Sequence, residues 1–387
     1  LKVLIVVESH SKRAGGGPVY WASLSQWLIR RGHEVIILSG IDPGSPFASP
    51  NTIGLLPVKS NLRQRSLSTL ISRMKFAVRL INLVRSYAQS WQPDIIHTVP
   101  PIASEAALRA GISTKVPVIA SILSHVEEQW HKIEASSFRA AFFRTLERRS
   151  IRRPFAKIIC LTKHSQRVLQ AEGIEPERLV HIPHAIDTEM FTKGVSPYFR
   201  EQLQLSPDSF VLGYAGALTR DKGIQHLLNA IANLQHRQNI HLLLAGEGED
   251  RLYFEQLVRS RKIRNVTFLG AIDYGTVPAF MASLDLYVVP SYTETLPTSV
   301  LEALATGTPV MATGVGGTAE FLQNRLGVVI PQPKAKIIAE TIDKWIDRRR
   351  ELKQMGERGY RQVMKEHTWE KTSLLTERVY EKCLQKK

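Results

Sequence analysis

Cysteine is scarce. Cys160 and Cys383 are the only two in 387 residues, which excludes a disulfide framework and a zinc site built on thiolates. A reducing compartment, the cytoplasm, is the expectation. Long apolar runs are also missing: none reaches the ~20 residues a membrane-spanning helix needs. The opening Leu1-Lys2-Val3-Leu4-Ile5-Val6-Val7 is followed at once by Glu8 and His10, so it reads as a strand and not an export signal. It lacks a Met, which suggests a trimmed or engineered start. Low-complexity sequence is absent too. With 43% hydrophobic and 22% charged residues, disorder and collagen-like repeats are excluded. Acid is scarce in the first half: residues 1–180 hold 25 Lys and Arg against 12 Asp and Glu, and 59–91 hold no acid at all. An anionic partner is expected there, either a phospholipid surface, a phosphorylated substrate or nucleic acid. A simple solubility charge is the bland alternative.

What is present is a repeated alternation. Short β-branched apolar runs at Val3–Val7, Val35–Leu38, Asp94–His97, Val118–Ile122 and Lys157–Leu161 are separated by helical patterns. The second half repeats this at Phe210–Tyr214, His241–Ala245, Val266–Leu269, Leu286–Val289, Pro309–Ala312 and Gly327–Ile330. Runs that are apolar throughout fit strands buried on both faces. The pattern predicts an α/β protein of two doubly wound, Rossmann-like domains, with ligands at the carboxyl ends of the strands in the cleft between them. The expected domains are 1–185 with 369–387, and 186–368. The last helical stretch, Trp369 to Leu384, is assigned back to the first.

Four loops carry chemistry. Gly15-Gly16-Gly17-Pro18 follows the first strand. Glycines let backbone approach a phosphate or sugar hydroxyl at a helix start, and a plain tight turn is the other reading. It is not G-x-G-x-x-G, and no acid ends the second strand. Gly216-Ala217-Leu218-Thr219-Arg220-Asp221-Lys222-Gly223 places two cations after a buried strand. Arg220 and Lys222 there suit a diphosphate. The strongest signal is Ser291 to Val310. A strand ends at Pro290, a loop carries Glu294, and Thr295 or Leu296 caps a helix with Pro297 near its first position. Glu302 lies in the second turn and Gly307 stops the helix. Eight residues span ~12 Å if helical throughout, the length of a nucleotide-sugar from hexose to ribose. One carboxylate would face each end and the helix amides the diphosphate. Gly314-Val315-Gly316-Gly317-Thr318-Ala319-Glu320 lines the same sheet edge.

These motifs resemble the retaining, nucleotide-sugar-dependent glycosyltransferases of family 4, or group 1, which have the GT-B fold. The Glu294-to-Glu302 spacing matches their E-x7-E signature. Gly16-Gly17 and Arg31-Gly32-His33-Glu34-Val35 match the family's opening, and Ile182-Pro183, Asp187 and Phe191 its inter-domain turn. Gly216, Lys222 and Gly223 match its donor-phosphate loop, and Gly316-Gly317 with Glu320 its closing loop. The resemblance implies that Glu302 holds ribose, Glu294 contacts the donor sugar and Lys222 binds the diphosphate. Leu296, Pro297 and Thr298 would sit by the pyrophosphate, and the base near Val266–Gly270 and Gly246. It implies a metal-independent hexosyl transfer from a UDP- or GDP-sugar to an acceptor hydroxyl, with no cofactor beyond the donor.

Three positions depart from the family. Ala217 stands where an Arg is usual, with Arg220 as a substitute. His184-Ala185 replaces Asn-Gly. Leu123 occupies the place of a frequent His, so His125 is assigned as the active-site histidine, with His97 as its rival.

The basic stretches carry a further expectation. Residues 59–91 hold seven cations along an apolar helical stripe, and Arg139, Arg144, Arg148, Arg149, Arg152 and Arg153 form a second cluster. Peripheral contact with the inner face of an anionic membrane is expected, against the alternative of solvated charge. Nucleic acid is not expected, since zinc spacing and RNA-binding aromatic signatures are lacking. A phosphorylase or epimerase on the same fold, a catalytically weak nucleotide-sugar-binding protein and, more distantly, a dinucleotide oxidoreductase remain alternatives.

Overall fold

A strand sends alternate side chains to opposite faces, so a run that is apolar throughout must be covered on both sides. In the computed structural model of the chain this is what the second-half runs do. Along β11 (Leu286–Val289), Leu286 and Val288 enter one buried cluster while Tyr287 and Val289 enter another. The same division holds for Leu212 against Val211 and for Met311 against Val310. The structure describes residues 1–10, 16–41, 52–55, 67–123, 137–234 and 239–385.

The chain divides into two units, Leu1–Pro183 with Trp369–Lys387, and His184–Thr368. The first holds a parallel sheet of β1 (Lys2–His10), β2 (Glu34–Ile41), β3 (Thr52–Leu55), β4 (Ile95–Thr98), β5 (Val118–Ile122), β6 (Lys157–Cys160) and β7 (Leu179–His181). Their order is β3-β2-β1-β4-β5-β6-β7. The second holds β8 (Phe210–Ala215), β9 (Ile240–Ala245), β10 (Val266–Gly270), β11, β12 (Val310–Thr313) and β13 (Val328–Ile330), in the order β10-β9-β8-β11-β12-β13. Each unit is therefore doubly wound and Rossmann-like. In the second unit the chain runs outward from β8 to β10, then returns to lay β11 against β8. The loops that follow β8 and β11 leave toward opposite sides, and the crevice they frame lies at the strands' carboxyl ends.

In the first unit the C-terminal helix Trp369–Leu384 returns to the sheet. Tyr380 meets His97 on β4, at 2.7 Å from Oη to Nδ1. Arg31 and His33 both meet Glu377, and Thr372 donates to the Pro183 carbonyl at 2.9 Å. Among the described residues no helix is long and apolar enough to cross a membrane.

Candidate functional site

The site is built where β8 and β11 part. After β8 the chain turns through Gly216–Gly223, and after β11 through Pro290–Pro297. Two glycines let these loops close on their neighbours. Gly223 has φ +73°, and a Cβ there would lie 1.9 Å from the Pro290 carbonyl oxygen. Gly316 has φ +56°, and a Cβ there would lie 1.9 Å from the Glu294 carbonyl oxygen. Any side chain at either position would force the loops apart. The Tyr292 amide also donates to the Asp221 carbonyl at 2.9 Å. The Tyr292 hydroxyl lies 2.6 Å from His226 Nε2. Gly317 N donates to the Thr295 carbonyl. The three loops form one backbone frame.

Inside it, Lys222 Nζ donates to Glu294 Oε1 at 2.7 Å, with the two side chains 23% and 18% exposed. Glu302 lies on the helix Thr298–Ala305 and is 6% exposed. Its Oε1 accepts from the Tyr274 hydroxyl at 2.9 Å. Burial pushes the Glu302 carboxyl up to about 7, against the lowering effect of that hydrogen bond. Burial, and then the nearby Glu302 charge, pushes the Tyr274 phenol well above its ordinary value, so it remains a donor. Among the described residues Glu302 has no second hydrogen-bond partner, which leaves Oε2 able to accept from a ligand hydroxyl.

Between the two acids the helix starts. Pro297 has φ −61° and ψ 128° and is the cap residue, and no side chain bonds to the helix start. The expected cap at Thr295 or Leu296 is therefore placed one to two residues too early. The reason is local: the residue before a proline is driven out of the helical region, so Leu296 cannot begin a turn. Thr298 opens the helix, and its hydroxyl lies 3.1 Å from His184 Nε2. His184 Nδ1 lies 2.8 Å from the Ala185 carbonyl. A carbonyl only accepts, so Nδ1 carries the proton and Nε2 receives the Thr298 hydroxyl. Burial lowers the imidazole to about 4, which keeps it neutral.

Arg220 goes elsewhere. Its amide donates to Asp250 Oδ2 at 2.9 Å, its Nε lies 3.2 Å from Asp250 Oδ1, and its guanidinium stacks 4.0 Å from the Tyr253 ring. Its side chain remains 60% exposed. Lys222 and Glu294 are brought together, and Arg220 is held by separate partners. Gly246 sits where β9 and β10 end, its amide donating to the Gly270 carbonyl at 2.7 Å.

The model for group 1 glycosyl transferases matches residues 196–362, and that for glycosyltransferase family 4 matches residues 14–190. This chain belongs to that family. An uncharacterized glycosyltransferase of Methanocaldococcus jannaschii is 32% identical over 190 residues, 47% of this chain and 47% of that relative. The chain thus matches about half the length of that relative. Sucrose-phosphate synthase from Thermosynechococcus elongatus shares the fold with a TM-score of 0.84 and 22% identity over all of both chains. The Anabaena protein HepE, solved with UDP-glucose, superposes with a TM-score of 0.77 and 18% identity over 98% of each chain.

The other family 4 positions fall in the first unit. Gly16 opens the helix Gly16–Arg30, so Pro18 lies in its first turn. A Cβ on Gly17 would sit 3.7 Å from Leu123 Cδ1, which places the apolar Leu123 beside the first turn of that helix. His125 lies outside the described residues. His97, its rival, is excluded as a substrate-facing group. It is fully buried, with Nδ1 on the Tyr380 hydroxyl and Nε2 2.8 Å from Ser121 Oγ. Burial lowers its imidazole to about 3. A ring with both nitrogens occupied inside a core holds structure and takes no proton from substrate.

Sequence reasoning missed Tyr274 and treated His184 only as a departure from the family turn. Tyr274 lies 28 residues before its partner Glu302, in the short 3-10 turn Tyr274–Thr276, which is too brief for a periodic signal.

Proposed function

We propose that this protein moves a hexosyl group from a UDP- or GDP-sugar to an acceptor hydroxyl, with retention at the sugar carbon. The observation that carries the reading is the arrangement in the second unit. A lysine–glutamate pair and a buried glutamate with one open oxygen flank an uncapped helix start, at the point where the strand order reverses. Glu302 would accept from the ribose hydroxyls, Lys222 and the helix amides would take the charge of the departing diphosphate, and Glu294 would orient the hexose. HepE, solved with UDP-glucose, supports a nucleotide-sugar as the donor class. Charge supplied by Lys222 and the amides makes a metal-independent reaction the expectation, checked by transfer that survives a chelator.

Glycosyl transfer passes through an oxocarbenium-like state. No second carboxylate suited to a covalent intermediate stands in the motif. A front-face route therefore fits: the bond to the leaving oxygen breaks, the acceptor oxygen bonds to the same face, and its proton passes to the departing phosphate. A panel of UDP- and GDP-sugars in thermal shift tests the reading. A donor at 100 times its Kd adds about 2.7 kcal/mol to the wild type and much less to Glu302→Ala. Equal shifts in both proteins, or none in either, would defeat it.

The acceptor would be lipid- or glycan-linked. On the helix Ser137–Ile151 the side chains of Arg144, Arg148 and Arg149 are exposed, and Arg152 follows. This face favours contact with an anionic bilayer on its cytoplasmic side. Vesicles containing anionic lipid should retain the protein at low salt and release it at high salt. Equal retention on neutral vesicles would contradict the electrostatic basis.

A further inference from the structure

The ion pair between Lys222 and Glu294 ties together two groups that the donor reading assigns to different parts of one ligand. We infer that Glu294 competes with a bare nucleoside diphosphate for Lys222, so that the site selects a sugar-loaded donor over the spent nucleotide. The inference rests on the donor reading above and adds to it a discrimination between substrate and product.

The competition follows from geometry. Lys222 Nζ donates to Glu294 Oε1 at 2.7 Å, and among the described residues neither side chain has another hydrogen-bond or ion-pair partner. Both are about four-fifths buried. A carboxylate this far out of water is costly once its counter-charge is withdrawn, unless other donors replace it. A nucleoside diphosphate alone draws the ammonium toward its phosphates. It leaves Glu294 without a partner and adds negative charge beside it. A nucleotide-sugar draws the same ammonium but also brings hydroxyl groups, which donate to Glu294 in place of Lys222. Only the loaded donor satisfies both side chains at once.

The backbone gives the carboxylate no easy retreat. The glycine contacts at 223 and 316 clamp the loop carrying Glu294 between its neighbours, and Tyr292 is bonded through both its amide and its hydroxyl. The exchange of partners is therefore confined to the ends of two side chains. Arg220 does not substitute for Lys222 in the pair, because Asp250 and Tyr253 hold it. After transfer the sugar hydroxyls are gone, Glu294 again claims Lys222, and the diphosphate is released more readily.

The test is calorimetric titration of wild type, Glu294→Gln, Lys222→Ala and the double variant. The probes are UDP, GDP, UDP-glucose and GDP-mannose. Glutamine keeps the shape and removes the charge. Glu294→Gln should bind the favoured nucleoside diphosphate about fivefold more tightly, the scale of a partly exposed ion pair, and the matching nucleotide-sugar no more tightly. Lys222→Ala should weaken both ligands, and in that background the gain from Glu294→Gln should vanish. Glu294→Ala should reproduce the gain, which guards against a fold defect peculiar to one variant. Unchanged or weaker diphosphate binding in both Glu294 variants overturns the inference, as does a gain that persists without Lys222. If neither UDP nor GDP binds the wild type, the donor reading itself fails and the inference falls with it.

Discussion

The two units answer the same topological problem in opposite ways. Each reverses its strand order once, at β1 and β4 in the first and at β8 and β11 in the second. Beside the reversal in the first stands His97, sealed at both nitrogens by Ser121 and Tyr380. Beside that in the second stand groups with open valence. Among the described residues Glu302 has one oxygen committed, and Lys222 and Glu294 are paired only with each other. A titratable residue at a strand's end is therefore not evidence of a site by itself. What distinguishes the two is whether the protein has used all of the residue's hydrogen-bonding capacity.

That contrast predicts opposite outcomes for substitutions. Lys222→Ala should have the largest effect, a loss of about 10³-fold in transfer rate, comparable to removing a charge-stabilising donor. The protein should stay folded, with a stability loss from the unpaired Glu294 that adding Glu294→Gln relieves. His97→Ala should do the reverse. It removes the partner of the Tyr380 hydroxyl and opens a cavity, at a cost of about 2–4 kcal/mol, while transfer by the folded fraction is retained. If His97→Ala kept its stability and lost activity, the contrast would fail.

The pH dependence separates the units further. His97 is held near 3 in the native protein, against 6.5 ordinarily. The unfolded chain takes up the proton first, so stability falls as pH drops from about 6.5 toward 3. His97→Ala should flatten that part of the acid-denaturation profile. Glu302 runs the other way. Its carboxyl is raised to about 7 from 4.5, so its contribution is present below 4.5 and lost as pH rises through 7. Glu302→Gln should then be more stable than wild type at pH 8, by up to about 3 kcal/mol, with the gap closing by pH 5. The smallest effect is expected from Tyr274→Phe. Loss of one donor to Glu302 should weaken nucleotide binding about five- to tenfold and reduce discrimination between ribose and 2′-deoxyribose. An unchanged discrimination ratio in calorimetry would remove Tyr274 from the site.

Much of this was legible because buried parallel strands leave a coarse trace. The runs at Phe210–Tyr214 and Leu286–Val289 fall on β8 and β11 because strands covered on both faces tolerate little polarity. The edge strands β3 and β7 left no such trace. Gly54 interrupts the apolar run in β3, and β7 has three residues and ends on the polar His181. At the site, glycines and acids at fixed spacing were readable because backbone closeness and helix geometry demand them. The Tyr274–Glu302 bond and the diversion of Arg220 to Asp250 were not. They join residues 28 and 30 apart on separate elements, two of them 3-10 turns of three residues, and such contacts leave no periodic signal. His97 and His184 looked alike as polar residues near strand ends, and only burial shows that both are neutral parts of the framework.

The return of the C-terminal helix to the first sheet sets an order of assembly during synthesis. The second unit is one continuous stretch of chain and can finish folding as soon as it leaves the ribosome. The first, although translated earlier, waits for the last helix, because Tyr380 caps the buried imidazole on β4 and Glu377 neutralises Arg31. A premature stop after Thr368 would therefore damage the part of the molecule made first and spare the part made last.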